Sequence, residues 1–309
     1  VATRVIVNPS AGGGRAGERA RAVRARLEER LGRLEWLESD SSEHLLALAR
    51  EAALRGDPRV IVAGGDGAAH FAANGVAGTE TALGILPVGT GNDIAYAAGV
   101  PRDVQAACDT FAAGHVRALD VGVAGGRVYC CVLGVGMDSE ALERINGARF
   151  LRRGHLLYSI CALRTAISYR PELVRISWEE GHWEGEVVFA AVTNTKSYAG
   201  GMKITPLASV HDGLLDLCVI PKLGLVRTLA SFQRVLSGRH VGMPGIVMAQ
   251  SAGFSIESER PVRVTLDGEL TELTTPIDVR VLPGALRVLG SPVAPCVPAG
   301  LVAARSGVL

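Results

Sequence analysis

The feature that most restricts the fold of this chain is an alternation in its first third. Short β-branched runs, each ending near glycine, pass straight into segments rich in Ala, Arg, Leu and Glu. "TRVIVNP" and "RVIVAGG" read as buried strands, because unbroken apolar runs suit strands covered on both faces. "GRAGERARAVRARLEERLG" reads as a helix with Val23, Leu27 and Leu31 inward and Gly32 as its stop. "SEHLLALAREAALRG" reads as a second, with Ser42 as N-cap and Gly56 at its end. The helix "AAHFAANGV", the strand-turn-helix "ALGILPVGTGNDIAYAAGV" and the helix "DVQAACDTFAAGH" continue the pattern. Such alternation predicts a parallel sheet with helices on both faces.

After about Leu119 the texture changes. "RVYCCVLGVGM", "LVRISWEE", "GEVVFAAVTN", "GLLDLCVI", "GFSIES", "VRVTLDGEL" and "IDVRVLPGALRVL" read as short strands broken by Gly, Asn-Thr and Asp-Gly turns. Two helical stretches, "GHLLYSICALRTAISY" and "VRTLASFQRVLSGRH", interrupt them. The expected fold is an N-terminal parallel-sheet α/β domain over residues 1–119 and a C-terminal, mainly antiparallel β-sandwich domain over 120–290. A chain of 309 residues suits two cores. The tail, 291–309, is Pro- and Gly-rich and then apolar, and is expected to dock back on the first domain.

Glycine-rich turns at the carboxyl ends of parallel strands are where such sheets bind phosphate-bearing ligands. Glycine lets backbone N–H groups approach a phosphate, and the dipole of the following helix favours its negative charge. Three consecutive units carry one: "NPSAGGGRAG" (Asn8 to Gly17), "GGDG" (Gly64 to Gly67) and "PVGTGNDIA" (Pro87 to Ala95). Neither G-x-G-x-x-G nor G-x-x-x-x-G-K-[ST] fits them. Three other candidates have plain structural readings. "GVGMDS" (Gly134 to Ser139) reads as a turn, and the Asp-Gly of "LDGE" (Leu266 to Glu269) as a hairpin turn. "SVHDGLLDL", with Asp212 and Asp216, reads as a turn leading into a strand.

Composition narrows the partners. A formal net charge of +1 gives no electrostatic case for nucleic acid. The six cysteines show no C-x-x-C spacing, and Cys130-Cys131 read as small core residues in a reducing cytosol. His44, His115, His155, His182, His211 and His240 lack metal-ligand spacing and are expected in surface or capping roles. "VATRVIVNPS" is no signal peptide, and "LLYSICALRTAISY" is too short to span a bilayer and carries Arg164. A soluble, cytoplasmic chain is expected, with membrane contact at most peripheral, on the inner membrane face. Trp178 and Trp183, bracketing "EEGH", read as a solvated hairpin.

Taken together, "VNPSAGGG", "GGDG" followed by "NGV", and "LGILPVGTGNDIA" resemble the nucleotide-site blocks of the diacylglycerol kinase catalytic-domain family. That family includes bacterial soluble lipid kinases and sphingosine kinases, and its GGDG element is shared with phosphofructokinases and NAD kinases. "GVGMDSEAL", the "GHLLYSICALRTAISYRP" helix, "TNTKSYAGGMKITPLASVHDGLLDL" and "VTLDGEL" resemble later blocks in the same order, across nearly the whole chain.

The resemblance implies an ATP-dependent lipid kinase using Mg²⁺. It implies nucleotide contacts at Gly64, Gly65, Asp66, Gly67, Ala68, Ala69, His70 and Thr90. Asn8, Gly89, Asn92 and Asp93 lie beside them, and Arg15 is within reach of a phosphate. Asp66 would organise Mg²⁺ or its waters, since a carboxylate is a hard oxygen ligand. Asp267 or Glu269 would take the proton from a lipid hydroxyl. A structural Mg²⁺ site is implied at Asp212 with backbone oxygens of Ser209 and Leu214, linked through water to Asp66, Asp93 and Asp120.

One departure matters. Ala68 stands where the family usually has a hydroxyl residue, and His70 where it has Asn or Glu. The lost hydroxyl is worth roughly 0.5–1.5 kcal/mol, about tenfold in affinity. A nucleotide-binding protein with weakened activity is therefore one alternative, and a soluble-metabolite kinase of the GGDG superfamily another. The acceptor is left open, and the exposed edges of a β-rich domain make a homodimer a candidate.

Overall fold

The computed structural model describes residues 3–14, 16–147, 164–165, 168–222, 224 and 234–292. The first half runs β1 (Thr3–Val7), α1 (Ala11–Gly14), α2 (Ala16–Ala22), α3 (Arg24–Leu31), β2 (Leu34–Glu38), α4 (Ser42–Leu54), β3 (Arg59–Gly64), α5 (Asp66–Val76), β4 (Ala82–Pro87), α6 (Asp93–Ala97) and α7 (Val104–Ala113). β1 pairs in parallel with β2 and β3, and β3 with β4, giving the order β4-β3-β1-β2. β1 and β4 are buried at every residue, including Arg4 of β1, whose guanidinium is paired with Glu35 and Glu51, while β2 at the edge is half-buried. The chain leaves β1 for β2 on one side and returns to β3 on the other. That reversal opens a crevice at the carboxyl ends of β1 and β3.

Local punctuation differs from the sequence reading in two places. The stretch read as one helix from Gly14 to Gly32 is broken at Val23 into α2 and α3, and Gly14, at positive φ, is the last residue of α1. Gly32, at φ 79°, does stop the last of them. The N-cap of α4 is Ser41 rather than Ser42: its hydroxyl accepts the His44 N–H at 3.1 Å.

The second half runs β5 (Val116–Ala124), β6 (Arg127–Tyr129), β7 (Val132–Gly136), α8 (Met137–Gly147), β8 (Glu172–Trp178), β9 (Gly181–Thr193), β10 (Leu215–Pro221), β11 (Val247–Ser251), β12 (Gly253–Ser258), β13 (Arg263–Leu266), β14 (Glu269–Thr274) and β15 (Ile277–Leu289). Its strands pair antiparallel around a core of their own that includes Leu133, Ile176, Val192, Leu217, Phe254 and Val264. The result is the expected pair: a parallel-sheet α/β domain and an antiparallel, sandwich-like β domain. β15 joins them. It pairs antiparallel with β12 and β5, bulges between Leu282 and Leu286, and meets β4 in parallel at Val288 and Leu83. Pro283 and Gly284 fall in that bulge, where a ladder donor is dispensable.

"GVGMDS" is the turn from β7 into α8, with Gly136 at φ 108°. Trp178 and Trp183 sit on the β8–β9 hairpin, half-buried against the second core. His240 is buried, its Nε2 2.8 Å from the Ile204 carbonyl oxygen, and not on the surface. Cys108, Cys130, Cys131 and Cys218 are free and buried, as expected of core residues. Arg15, His155, Cys161, Cys296, most of the two helical stretches and residues 293–309 of the tail lie outside the described residues. Among those described, no helix is long and apolar enough to cross a membrane.

Candidate active site

The three glycine turns meet at the crevice. The backbone of Gly65 lies so close to that of Gly89 that a Cβ on Gly65 would come within 3.3 Å of the Gly89 Cα. Side chains at either position would push the two loops apart. Asp66, the first residue of α5, stitches them together: its Oδ2 accepts the Asn92 N–H at 2.7 Å and its Oδ1 the Ile94 N–H at 3.0 Å. Asn92 closes the second loop on itself. It holds φ 63°, a conformation Asn tolerates better than most residues, and its amide exchanges hydrogen bonds with Gly89 N–H and C=O, each at 3.1 Å. Asn8, at the end of β1, folds its Oδ1 onto Ser10 N–H and Oγ. Arg19 on α2 donates to the Val88 carbonyl at 3.1 Å, a basic residue beside the loops that its sequence did not single out. Thr90 is exposed within the Gly89–Asn92 loop.

α5 is clamped on both sides. Gly75 lets it close on α4, where a Cβ would meet Ala49 at 2.8 Å. Asn74 donates to Val128 O at 2.9 Å and accepts from Val128 N–H at 3.0 Å, pinning the helix to β6. His70, buried, donates from Nδ1 to Asp267 Oδ2 at 2.8 Å; the carboxylate can only accept, so Nδ1 carries the proton. Ala69 is buried in the same helix, and the Ala68 methyl is buried against Gly64.

Asp267 and Gly268 form the two-residue turn between β13 and β14, at φ 51° and 80°. The hairpin reading of "LDGE" is therefore borne out. The Asp267 carboxylate accepts four hydrogen bonds. Besides His70, these are from the N–H groups of Cys130 (2.8 Å), Cys131 (2.7 Å) and Val132 (3.0 Å). Asn194 steadies that link between β6 and β7 by donating to the Cys130 and Asp120 carbonyls. The Asp267 side chain is 1% exposed. Glu269, the first residue of β14, is different. Its Oε1 lies against Gly67 at the head of α5, where a Cβ would collide with it, and no described residue hydrogen-bonds its carboxylate. Burial pushes its pKa up; the neighbouring His70 opposes this and Asp267 adds to it.

Asp93 reaches the second half, accepting Ser197 Oγ at 3.1 Å and the Gly200 N–H. Burial raises the Asp66 pKa to about 6, against two backbone N–H donors and with the Asp93 and Asp267 charges adding to the rise. Between these acids lies a cavity of about 190 Å³, lined by Asp66, Asp93, Asp267 and Gly268 and by Cys131, Leu142, Tyr198 and Ala199. Carboxylates facing apolar walls suit a hydroxyl carried on a greasy group.

Asp212 stands apart, on the turn before β10. Its Oδ1 accepts the Leu214 N–H and its Oδ2 the Gln250 side chain, both at 3.1 Å. Ser209 lies two residues from His211 on the same loop, its hydroxyl accepting the His211 N–H. Burial and the Asp212 charge raise the Asp216 pKa to about 7, and its Oδ2 is buried with no hydrogen-bond partner among the described residues. Asp120 is tied directly to Gly213 and Gly284 N–H, each at 2.8 Å.

The model of the diacylglycerol kinase catalytic domain matches residues 2–124, and that of the YegS C-terminal NAD kinase beta sandwich-like domain matches residues 131–290. This chain belongs to the diacylglycerol kinase catalytic-domain family. The diacylglycerol kinase of Mycobacterium tuberculosis (strain ATCC 25618 / H37Rv) is 31% identical over 299 residues, covering 92% of this chain and 93% of its own. That of Bacillus subtilis (strain 168) is 30% identical over 276 residues, covering 86% and 89%. A solved diacylglycerol kinase structure from Bacillus anthracis str. Sterne superposes with a TM-score of 0.72 over 94% of this chain and 97% of that one, at 23% identity. At that identity the likeness carries the fold, and the family membership rests on the domain matches and the relatives.

Proposed function

We propose that this protein transfers the γ-phosphate of ATP to the hydroxyl of a diacylglycerol-like lipid by direct in-line transfer. The observation that carries the reading is the convergence of the three glycine turns of residues 1–119 with Asp267 and Glu269 of residues 120–290. Phosphate oxygens would be held by the backbone N–H groups of Gly65 to Ala68 and the positive end of α5, the Ala69 N–H being taken by the Gly65 carbonyl. Asn8, Gly89, Thr90 and Asn92 would shape the loops around the nucleotide, with Arg19 at hand. Positioning and charge neutralisation do most of the work in such transfers.

Glu269 is the better general base of the two acids. Its lone pairs are free, it sits at the head of α5, and its raised pKa strengthens it as a proton acceptor. Asp267, saturated by four donors, would hold the site together through His70 and the link from β6 to β7. Mass spectrometry of a diacylglycerol incubated with protein, ATP and Mg²⁺ should detect a phosphate ester. An ester formed only on soluble sugars or nucleosides would move the reading to a soluble-metabolite kinase.

Bound Mg²⁺ would supply charge neutralisation for the phosphates, and Asp66 and Asp93 are placed to receive it. A second ion fits Asp212, with backbone oxygens of Ser209 and Leu214, because the partnerless Asp216 Oδ2 leaves that corner wanting a cation or a proton. Asp216 gives the pH dependence its sign. Its folded pKa of about 7 lies above the ordinary aspartate range, so the folded state binds the proton more tightly. Its stabilising share is complete below about pH 4 and is lost as pH rises through 7. Mg²⁺ should therefore raise the melting temperature more at pH 8 than at pH 6. An equal shift at both would exclude this pair as a cation site.

The reading of a weakened nucleotide-binding protein turns on Ala68. Its methyl is 3% exposed and packs on Gly64, so the missing hydroxyl has little access to the crevice. Ala68→Ser should leave ATP affinity within about threefold by calorimetry, whereas a gain near tenfold would mark a lost phosphate contact.

A further inference from the structure

We infer that the face built by residues 196–207 and 234–243 seats this protein on an anionic lipid bilayer; the inference rests on the lipid-kinase reading. The first observation is charge. The chain is almost neutral, with 32 basic and 31 acidic residues, but the acids are unevenly placed. From 187 to 256 there are two, Asp212 and Asp216, both in the turn site already described. The same stretch holds Arg227, Arg234, Arg239 and every lysine of the chain: Lys196, Lys203 and Lys222.

The second observation is apolar exposure. Among the described residues six large apolar side chains are exposed, and Leu207 (82%), Leu236 (41%) and Val241 (42%) fall on these two segments. The segments form one surface. Gly238 packs on Lys203 and Pro206, a Cβ there lying 3.3 Å from the Cβ of each, and His240 Nε2 meets the Ile204 carbonyl oxygen at 2.8 Å. Lys203, Arg234 and Arg239 are exposed and form no ion pair with a described residue, whereas Lys222, elsewhere, is paired with Glu186 at 3.0 Å.

Exposed apolar side chains on one surface with Lys203, Arg234 and Arg239 suit an anionic interface, although Leu207 and Lys196 also border a cavity that holds Asp93 and Asp212. The apolar tips enter the headgroup boundary while the cations meet lipid phosphates. The location also serves the reaction. Tyr198 and Ala199, on the same loop, line the acid-walled cavity, and Tyr198 is bridged by two backbone hydrogen bonds to Met202 beside Lys203. An acceptor leaving the bilayer at this face would have a short path to the carboxylates.

The test is sedimentation with vesicles of phosphatidylcholine alone and of equal parts phosphatidylcholine and phosphatidylglycerol. Wild-type protein should pellet with the mixed vesicles and not with the neutral ones. A Lys203→Glu/Arg234→Glu/Arg239→Glu variant should partition at least a hundredfold more weakly, at about fivefold per basic group removed. Leu207→Ser should weaken it by about tenfold. Both variants should phosphorylate a short-chain, monomeric diacylglycerol at the wild-type rate. Wild-type protein that pellets equally with both vesicles or with neither, or variants that pellet like wild type, would overturn the docking face. Charge-dependent pelleting without any transfer to the short-chain lipid would leave the face standing and sink the kinase reading.

Discussion

Glu269→Gln should lower kcat by roughly a hundred- to ten-thousandfold, the usual worth of a positioned proton acceptor, while ATP affinity and melting temperature stay near wild type. The reasoning is geometric. Gln preserves the length of the side chain, and no described residue depends on the Glu269 carboxylate for a hydrogen bond, so the fold loses little. What goes is an acceptor with a raised pKa at the head of α5, against Gly67, where the phosphates are proposed to lie. Single-turnover kinetics with saturating ATP separates this loss from a binding defect. A variant retaining more than a tenth of wild-type kcat would remove Glu269 from the base role and return it to Asp267.

Asp267→Asn should fail differently. Asn adopts positive φ about as readily as Asp, so the turn at φ 51° is not the reason. The reason is the four donors converging on one carboxylate: three backbone N–H groups and His70 Nδ1. An amide offers one acceptor oxygen and turns its NH₂ toward the remaining donors. Leaving buried donors unsatisfied beside a former charge costs roughly 3–5 kcal/mol, a large share of the ~5–15 kcal/mol typical of a folded domain. The melting temperature should fall by about 6–15 °C, and the His70 contact between α5 and the β13–β14 hairpin should loosen. An unchanged melting temperature would show that this carboxylate is not the clamp described.

The contrast between these two acids was not legible in the sequence. "DGE" marked both, but their difference depends on which one the link between β6 and β7 grips, and that link lies well over a hundred residues away. His70 likewise read as a nucleotide contact; its partner Asp267 is 197 positions distant. Local patterns, by contrast, translated well. The buried runs of β1, β3 and β4 and the glycine turns after β1, β3 and β4 follow from short-range chemistry, and so did the α/β and antiparallel halves. Errors gathered at boundaries, where one residue decides: Ser41 for Ser42 at the cap, and a break at Val23 cutting one helix into two. The path of β15 needed the structure for another reason. "IDVRVLPGALRVL" read as a strand of the second half, yet the bulge at Pro283-Gly284 carries it on to β4, with the Gly284 N–H satisfied by Asp120.

The most direct test of the central claim is transfer of labelled γ-phosphate from ATP–Mg²⁺ to a panel of mixed-micelle lipids, with Glu269→Gln run in parallel. Label should appear on a lipid hydroxyl with the wild-type protein and fall by at least a hundredfold with the variant. ATP bound by the wild-type protein with no label on any lipid would contradict the account.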